Sequence, residues 1–281
     1  MRASFKSKPV FFTLPPPSIA HEYIIFSPLS ETDGIRYLKK HKRVIKEIMI
    51  DAGVRIFERG AKEYPGGPLK VFRKQLIIAR RARTIVPNAR IYVVIPDYPA
   101  DYPNNIIENN TEKTLRVINT IREKYGTVNN TATLVAVVQA KSIWDDPQLQ
   151  TLKQALEQYK AEGIFNDFTY IALGTVCTIA QLRLKKIPIR KAIKWINSSV
   201  KLVRRYTITR LHVFGLWIKA LLAIYDMIDS FDSSAWTRPI SRKKLQANYS
   251  AKNMRQRVLF FQTWKQKANY ILAQSKLTHF F

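Results

Sequence analysis

Cysteine is all but missing from this sequence. Cys177 is the only one among 281 residues, so neither an internal disulfide framework nor a cysteine-based zinc site can be built. The four histidines, His21, His41, His212 and His279, show no metal-ligand spacing. Long apolar runs are missing as well. The most hydrophobic window, 211–228, is interrupted by His212, Lys219 and Asp226 and does not read as a membrane span. The basic N-terminus meets Pro15-Pro16-Pro17 after only a short apolar run, which makes a poor signal peptide. The expectation is a cytoplasmic protein with no membrane partner.

Acidic charge is the other shortage. Asp and Glu total 20 against 47 for Lys and Arg, a formal net charge of +27. Such an excess attracts polyanions, and nucleic acid is favoured because each phosphate neutralised releases counterions. An anionic membrane surface, or a basic composition with no specific ligand, is the alternative. The remaining composition, 46% hydrophobic and 24% charged, describes an ordinary globular chain that can bury a core.

What the sequence does contain is a repeated grammar. Two short apolar runs, Val10–Leu14 and Tyr23–Phe26, precede a basic segment at 34–43. Five β-branched runs then end in a polar residue or glycine: Ile48–Ile50 before Asp51, Ile91–Ile95 before Asp97, Leu134–Val138 before Gln139, Thr169–Leu173 before Gly174, and Leu211–Phe214 before Gly215. A sixth run closes at Asp232. Helical patterns are expected between them, at about 69–83, 104–124, 147–161 and 188–205 and up to Tyr225. Runs apolar throughout that alternate with helices imply a parallel sheet buried on both faces. With the two N-terminal runs, the count predicts an α/β chain folded as a (β/α)8 TIM-barrel-like single domain over 1–281. A doubly wound open sheet is the competitor, weakened because no Gly-x-Gly-x-x-Gly or phosphate-loop lysine follows any strand.

In a barrel, the ends of the strands surround one mouth. That expectation gathers Asp51, Asp97, Gln139, Gly174, Gly215 and Asp232. Carboxylates there can also cap turns, and glycines can simply permit them. Asp232 sits in Ile228–Pro239 beside Phe231, Trp236 and Arg238. A tail over 238–281 follows, in which Arg238, Arg242, Lys243 and Lys244 begin a basic series interleaved with aromatics. Leu259, Phe260, Trp264 and Ile271 suggest an amphipathic helix, whose basic side would hold phosphates near Asp232.

Two aspartates in different surroundings suit chemistry at a glycosidic carbon. Asp232 would attack C1′ of a nucleotide while Asp51 protonates the departing base. Asp97 and Gln139 could read the Watson–Crick edge of a purine, and the glycines would leave room for a flat ligand.

The motifs carry a resemblance. Ile50-Asp51-Ala52-Gly53, Pro96-Asp97, Val137-Val138-Gln139, Ala172-Leu173-Gly174, His212-Val213-Phe214-Gly215 and Asp229–Pro239 resemble, in order, the motifs of the tRNA-guanine transglycosylase superfamily. The likeness is greatest to the branch that inserts 7-deazaguanines into DNA. The resemblance implies a (β/α)8 barrel and a pentosyltransferase that exchanges guanine for a free 7-deazaguanine base through a covalent aspartyl–sugar intermediate. Asp232 would be the nucleophile, Asp51 the general acid/base, and Asp97, Gln139, Gly174 and Gly215 the base-binding set. Two positions depart from the family. Ala52 stands where a serine is usual, and the Cys-x-Cys-x-x-Cys…His zinc site is absent, so no zinc or other cofactor is expected. Without that site DNA is favoured as partner over tRNA, and a homodimer stays open. The alternatives are a tRNA enzyme without zinc, a catalytically silent nucleic-acid-binding barrel, and a barrel enzyme for a small anionic metabolite.

Overall fold

Two apolar patterns alternate along the chain and produce its architecture. Runs such as Ile48-Met49-Ile50 and Val135-Ala136-Val137-Val138 are apolar at every position and suit strands buried on both faces. The segments between them place apolar residues three and four apart, which gives helices with one buried side. The computed structural model describes residues 9–99, 101–102, 105–128, 130–139, 141, 143, 145–174, 188–233 and 251–274. It contains eight barrel strands: β1 (Val10–Phe12), β2 (Tyr23–Phe26), β3 (Glu47–Ile50), β4 (Arg90–Val94), β5 (Thr133–Val138), β6 (Tyr170–Leu173), β7 (Arg210–Val213) and β8 (Ser230–Asp232). The helices are α1 (Glu31–His41), α2 (Pro68–Ile85), α3 (Asn110–Tyr125), α4 (Gln150–Ala161), α5 (Ile164–Asp167), α6 (Ile189–Arg204), α7 (Ile218–Ile224) and α8 (Ala251–Gln274).

The strands lie in the order β1-β8-β7-β6-β5-β4-β3-β2, and every neighbouring pair is parallel. Thr13 brings the two ends of this sheet together. Its N–H donates to Tyr23 O and its carbonyl accepts from Ile25 N–H, both at 3.2 Å. The result is the expected (β/α)8-type barrel. Among the described residues, no helix is long and apolar enough to cross a membrane.

Side-chain alternation sorts residues between the inside of the barrel and the helical layer. Phe12, Met49, Tyr92, Val137, Tyr170 and Ala172 belong to a cluster separate from the larger core that joins strands to helices. The floor of the barrel is polar. Buried Glu47 accepts from Arg210 Nη2 at 2.7 Å and from Arg90 Nη2. Arg210 also donates through Nη1 to Tyr92 Oη (2.5 Å), and its guanidinium lies 4.7 Å from the Tyr170 ring centroid.

Three local expectations are corrected. The helix predicted from about 104 begins at Asn110, because the preceding loop forms an antiparallel pair, Asp101–Tyr102 with Asn105–Ile106. The helix predicted from about 147 begins at Gln150, after Leu149 with φ 63°, and Gly163 (φ 71°) opens the short α5. In α8 the buried stripe is Phe261, Trp264 and Ala268, and Leu259 is 61% exposed. Leu259 therefore lies off the buried stripe.

No helix follows β1. The three prolines after it lack the N–H that a helix requires. Instead α8 covers β1 and β8 together: Trp264 lies 4.4 Å from Phe11 and 6.3 Å from Phe231, between ring centroids.

Candidate active site

Each candidate residue follows or ends a strand at the same end of the barrel, and the helices fix the local backbone. Buried Gln75 on α2 donates through Nε2 to Ile50 O (3.1 Å) and Val94 O (2.8 Å), tying down the chain just before Asp51 and Asp97. Tyr64 Oη donates to Asp97 O at 2.8 Å, and Tyr159 Oη on α4 donates to Val137 O at 2.6 Å, two residues before Gln139.

Asp97, Gln139 and Gly174 touch. Gln139 Nε2 donates to Asp97 Oδ2 within a fully buried pair. A Cβ on Gly174 would come within 2.2 Å of Gln139 Nε2. The room left by this glycine is thus occupied by Gln139, which corrects the expectation of an open space above it. Any side chain at 174 would displace the amide.

Asp51 lies beside this group, half-buried, with Oδ2 accepting from Gly53 N–H at 3.2 Å. Burial pushes the Asp97 carboxyl up to about 7; the Gln139 amide pulls against this, and the Asp51 charge adds to it. Asp97 holds its proton more tightly folded, at about 7, than at its ordinary 3.8, so it contributes stability that is full below about 3.8 and is lost as pH rises through about 7. Asp97→Asn should remove this contribution. Urea unfolding at about pH 5 and about pH 8 should then show a loss of stability smaller than the parent's by roughly 2–3 kcal/mol. An unchanged difference would move the titration away from Asp97.

Asp232, ending β8, and Gly215, just past the end of the adjacent β7, form a second group. Gly215 takes φ 61°, a conformation that favours glycine, and turns its N–H onto Asp232 Oδ1 at 2.7 Å. His212 Nε2 reaches the same oxygen at 3.3 Å. His212 Nδ1 lies 2.8 Å from Ser230 Oγ, which in turn meets Tyr170 Oη. Burial holds the His212 ring below its usual value, although Asp232 pulls the other way. A neutral ring has one N–H to give. Facing a carboxylate it must be on Nε2, so Nδ1 accepts from Ser230 and Ser230 accepts from Tyr170. Both donors thus fall on Oδ1. Among the described residues nothing bonds Oδ2, and the side chain is 20% exposed.

The sequence reading missed His212, Ser230 and Tyr170. A signal was present: Arg210 and His212 alternate on β7, as Ser230 and Asp232 do on β8, a period of two that aims polar groups inward in otherwise apolar strands. Arg238, Arg242, Lys243 and Lys244, the predicted phosphate contacts, lie outside the described residues. So does Cys177. Among the described residues no three His, Cys, Asp or Glu converge as metal ligands.

No protein-family model matches the sequence, and no curated protein matches it.

Proposed function

We propose that this chain is a cytoplasmic nucleic-acid base-exchange glycosyltransferase that replaces guanine with a 7-deazaguanine, in DNA ahead of tRNA. One observation carries the reading. Asp232 is a carboxylate with one oxygen fixed by Gly215 and a neutral His212, and with no partner for its other oxygen among the described residues. A carboxylate immobilised in this way, on rigid strands, suits a nucleophile.

Oδ2 of Asp232 attacks C1′ and forms the ester as the C1′–N9 bond breaks, its electron pair leaving with the base. Asp51 gives the departing guanine a proton. The incoming 7-deazaguanine loses its N9 proton to Asp51 and attacks C1′, and the ester bond breaks to restore the Asp232 carboxylate. Asp97 and Gln139, bonded to each other beside Gly174, would read the base edge. An ionised Asp97 accepts from the N–H groups of a guanine, and Gln139 both donates and accepts. The target nucleotide must leave its stack first, at a few kcal/mol, which the basic surface helps to offset.

Purified protein incubated with labelled guanine should transfer label into duplex DNA more than into tRNA. Label in tRNA alone would select the tRNA reading. Label in neither, with tight salt-sensitive binding retained, would leave a silent binding barrel. No labelling and no binding would remove nucleic acid from the account.

A further inference from the structure

Helix α6 carries Arg190, Lys191, Lys194, Lys201 and Arg204, with Arg205 at its C-cap, and no acid at all. At 3.6 residues per turn, Arg190, Lys194, Lys201 and Arg205 fall within about 60° of arc, and Lys191 borders them. All five are exposed, while Ala192, Ile196, Val200 and Val203 bury the opposite side. From Arg190 to Arg205 the row runs about 22 Å.

Two features mark this row. Elsewhere some exposed cations share a carboxylate, Lys74 and Arg81 with Glu31 and Arg116 with Glu112. On α6, among the described residues, ion pairing is confined to Arg204 with Asp229 at 2.6 Å. Furthermore, Arg190 and Lys191 stand in the first turn, where the helix dipole disfavours positive charge. The Lys39 and Lys40 pair at the end of α1 complements that helix's dipole; Arg190 and Lys191 work against theirs. Folding alone does not account for them.

We propose that the outer face of α6 is a docking rail for the phosphate backbone of duplex DNA. A straight row of cations that pair with no carboxylate among the described residues matches a rod of dense, regular negative charge. A membrane surface fits less well, since an interfacial helix inserts an apolar face and that of α6 is packed on the barrel. Arg204 donates to Thr209 O (2.6 Å) and Met227 O (2.5 Å), just before β7 and β8 begin. The C-terminal end of α6 is therefore at the floor, and Arg190 lies toward the mouth. A duplex along the rail passes the end of the barrel where Asp232 sits. The choice of DNA as the polyanion rests on the base-exchange reading; the rail itself does not.

The test is the salt dependence of binding to a short labelled DNA duplex. Replacing Arg190, Lys194, Lys201 and Arg205 by Gln together should lower the slope of log Kobs against log[salt] by about 3–4, and Lys194→Gln alone by about 1. A charge-matched variant with Lys39, Lys40, Lys42 and Arg43 replaced by Gln should keep the parent slope. An unchanged slope in the α6 variant, an equal fall in the α1 variant, or parent protein that binds anionic vesicles and leaves DNA unbound would overturn the rail. Loss of slope in a protein that exchanges no guanine would keep the rail and sink the base-exchange reading. Guanine exchange with an unaltered slope would do the reverse.

Discussion

Asp232→Asn is expected to leave the barrel folded and to lower guanine exchange by roughly 10⁴-fold or more, the scale on which removing a nucleophile acts. The substitution suits the geometry. An asparagine oxygen can still accept from Gly215 N–H and His212 Nε2, the two donors on Oδ1. The oxygen replaced by an amide nitrogen is the one that nothing among the described residues bonds, and an amide nitrogen forms no ester at C1′. The measurement is a denaturing gel of protein incubated with labelled nucleic acid, read beside the unfolding curve. An adduct that survives in the Asn variant would take the nucleophile role from Asp232.

Glu47→Ala is expected to have the largest effect on stability, a loss of roughly 3–5 kcal/mol by chemical denaturation. Glu47 is 1% exposed and answers two guanidiniums, with Arg210 only 21% exposed. Removing the carboxylate strands Arg210 between two tyrosine rings with its charge uncompensated. Arg90, at 70% exposed, can turn to water. A double variant that also replaces Arg210 with Met should recover part of the loss, because it removes the buried charge that the single change leaves unpaired. If Glu47→Ala left stability unchanged, the floor would be decoration rather than a structural plug.

The strands were legible because each is a short run of apolar residues with a clear end, and the ends pointed to Asp51, Asp97, Gln139, Gly174, Gly215 and Asp232. What the sequence could not give was depth and partnership. Gly174 read as open room, whereas Gln139 fills it; a glycine records that something is close, and only three dimensions say what. His212 had no metal-ligand spacing and so attracted no role, yet the pairing of β7 with β8 sets Ser230 against it and Asp232 one step beyond. Residues 18 and 20 positions apart meet only once the sheet has formed. The stripe on α8 was displaced for a similar reason. Periodicity identifies a helix with an apolar side, but the aromatic pair Phe11 and Phe231 decides which residues pack.

The pairing of β1 with β8 bears on the order in which the molecule is completed. β8, which carries Asp232, is hydrogen-bonded on one side to β7, a near neighbour in sequence, and on the other to β1, with Phe12 in register with Asp232 more than two hundred positions away. Joining segments so far apart is entropically slow. A nascent polypeptide can assemble β2 through β7 progressively, but the strand bearing Asp232 gains its second neighbour only when β1 is stitched to β8. The carboxylate is therefore framed on both sides only once β1 has met β8, so a barrel lacking that pairing carries no finished site.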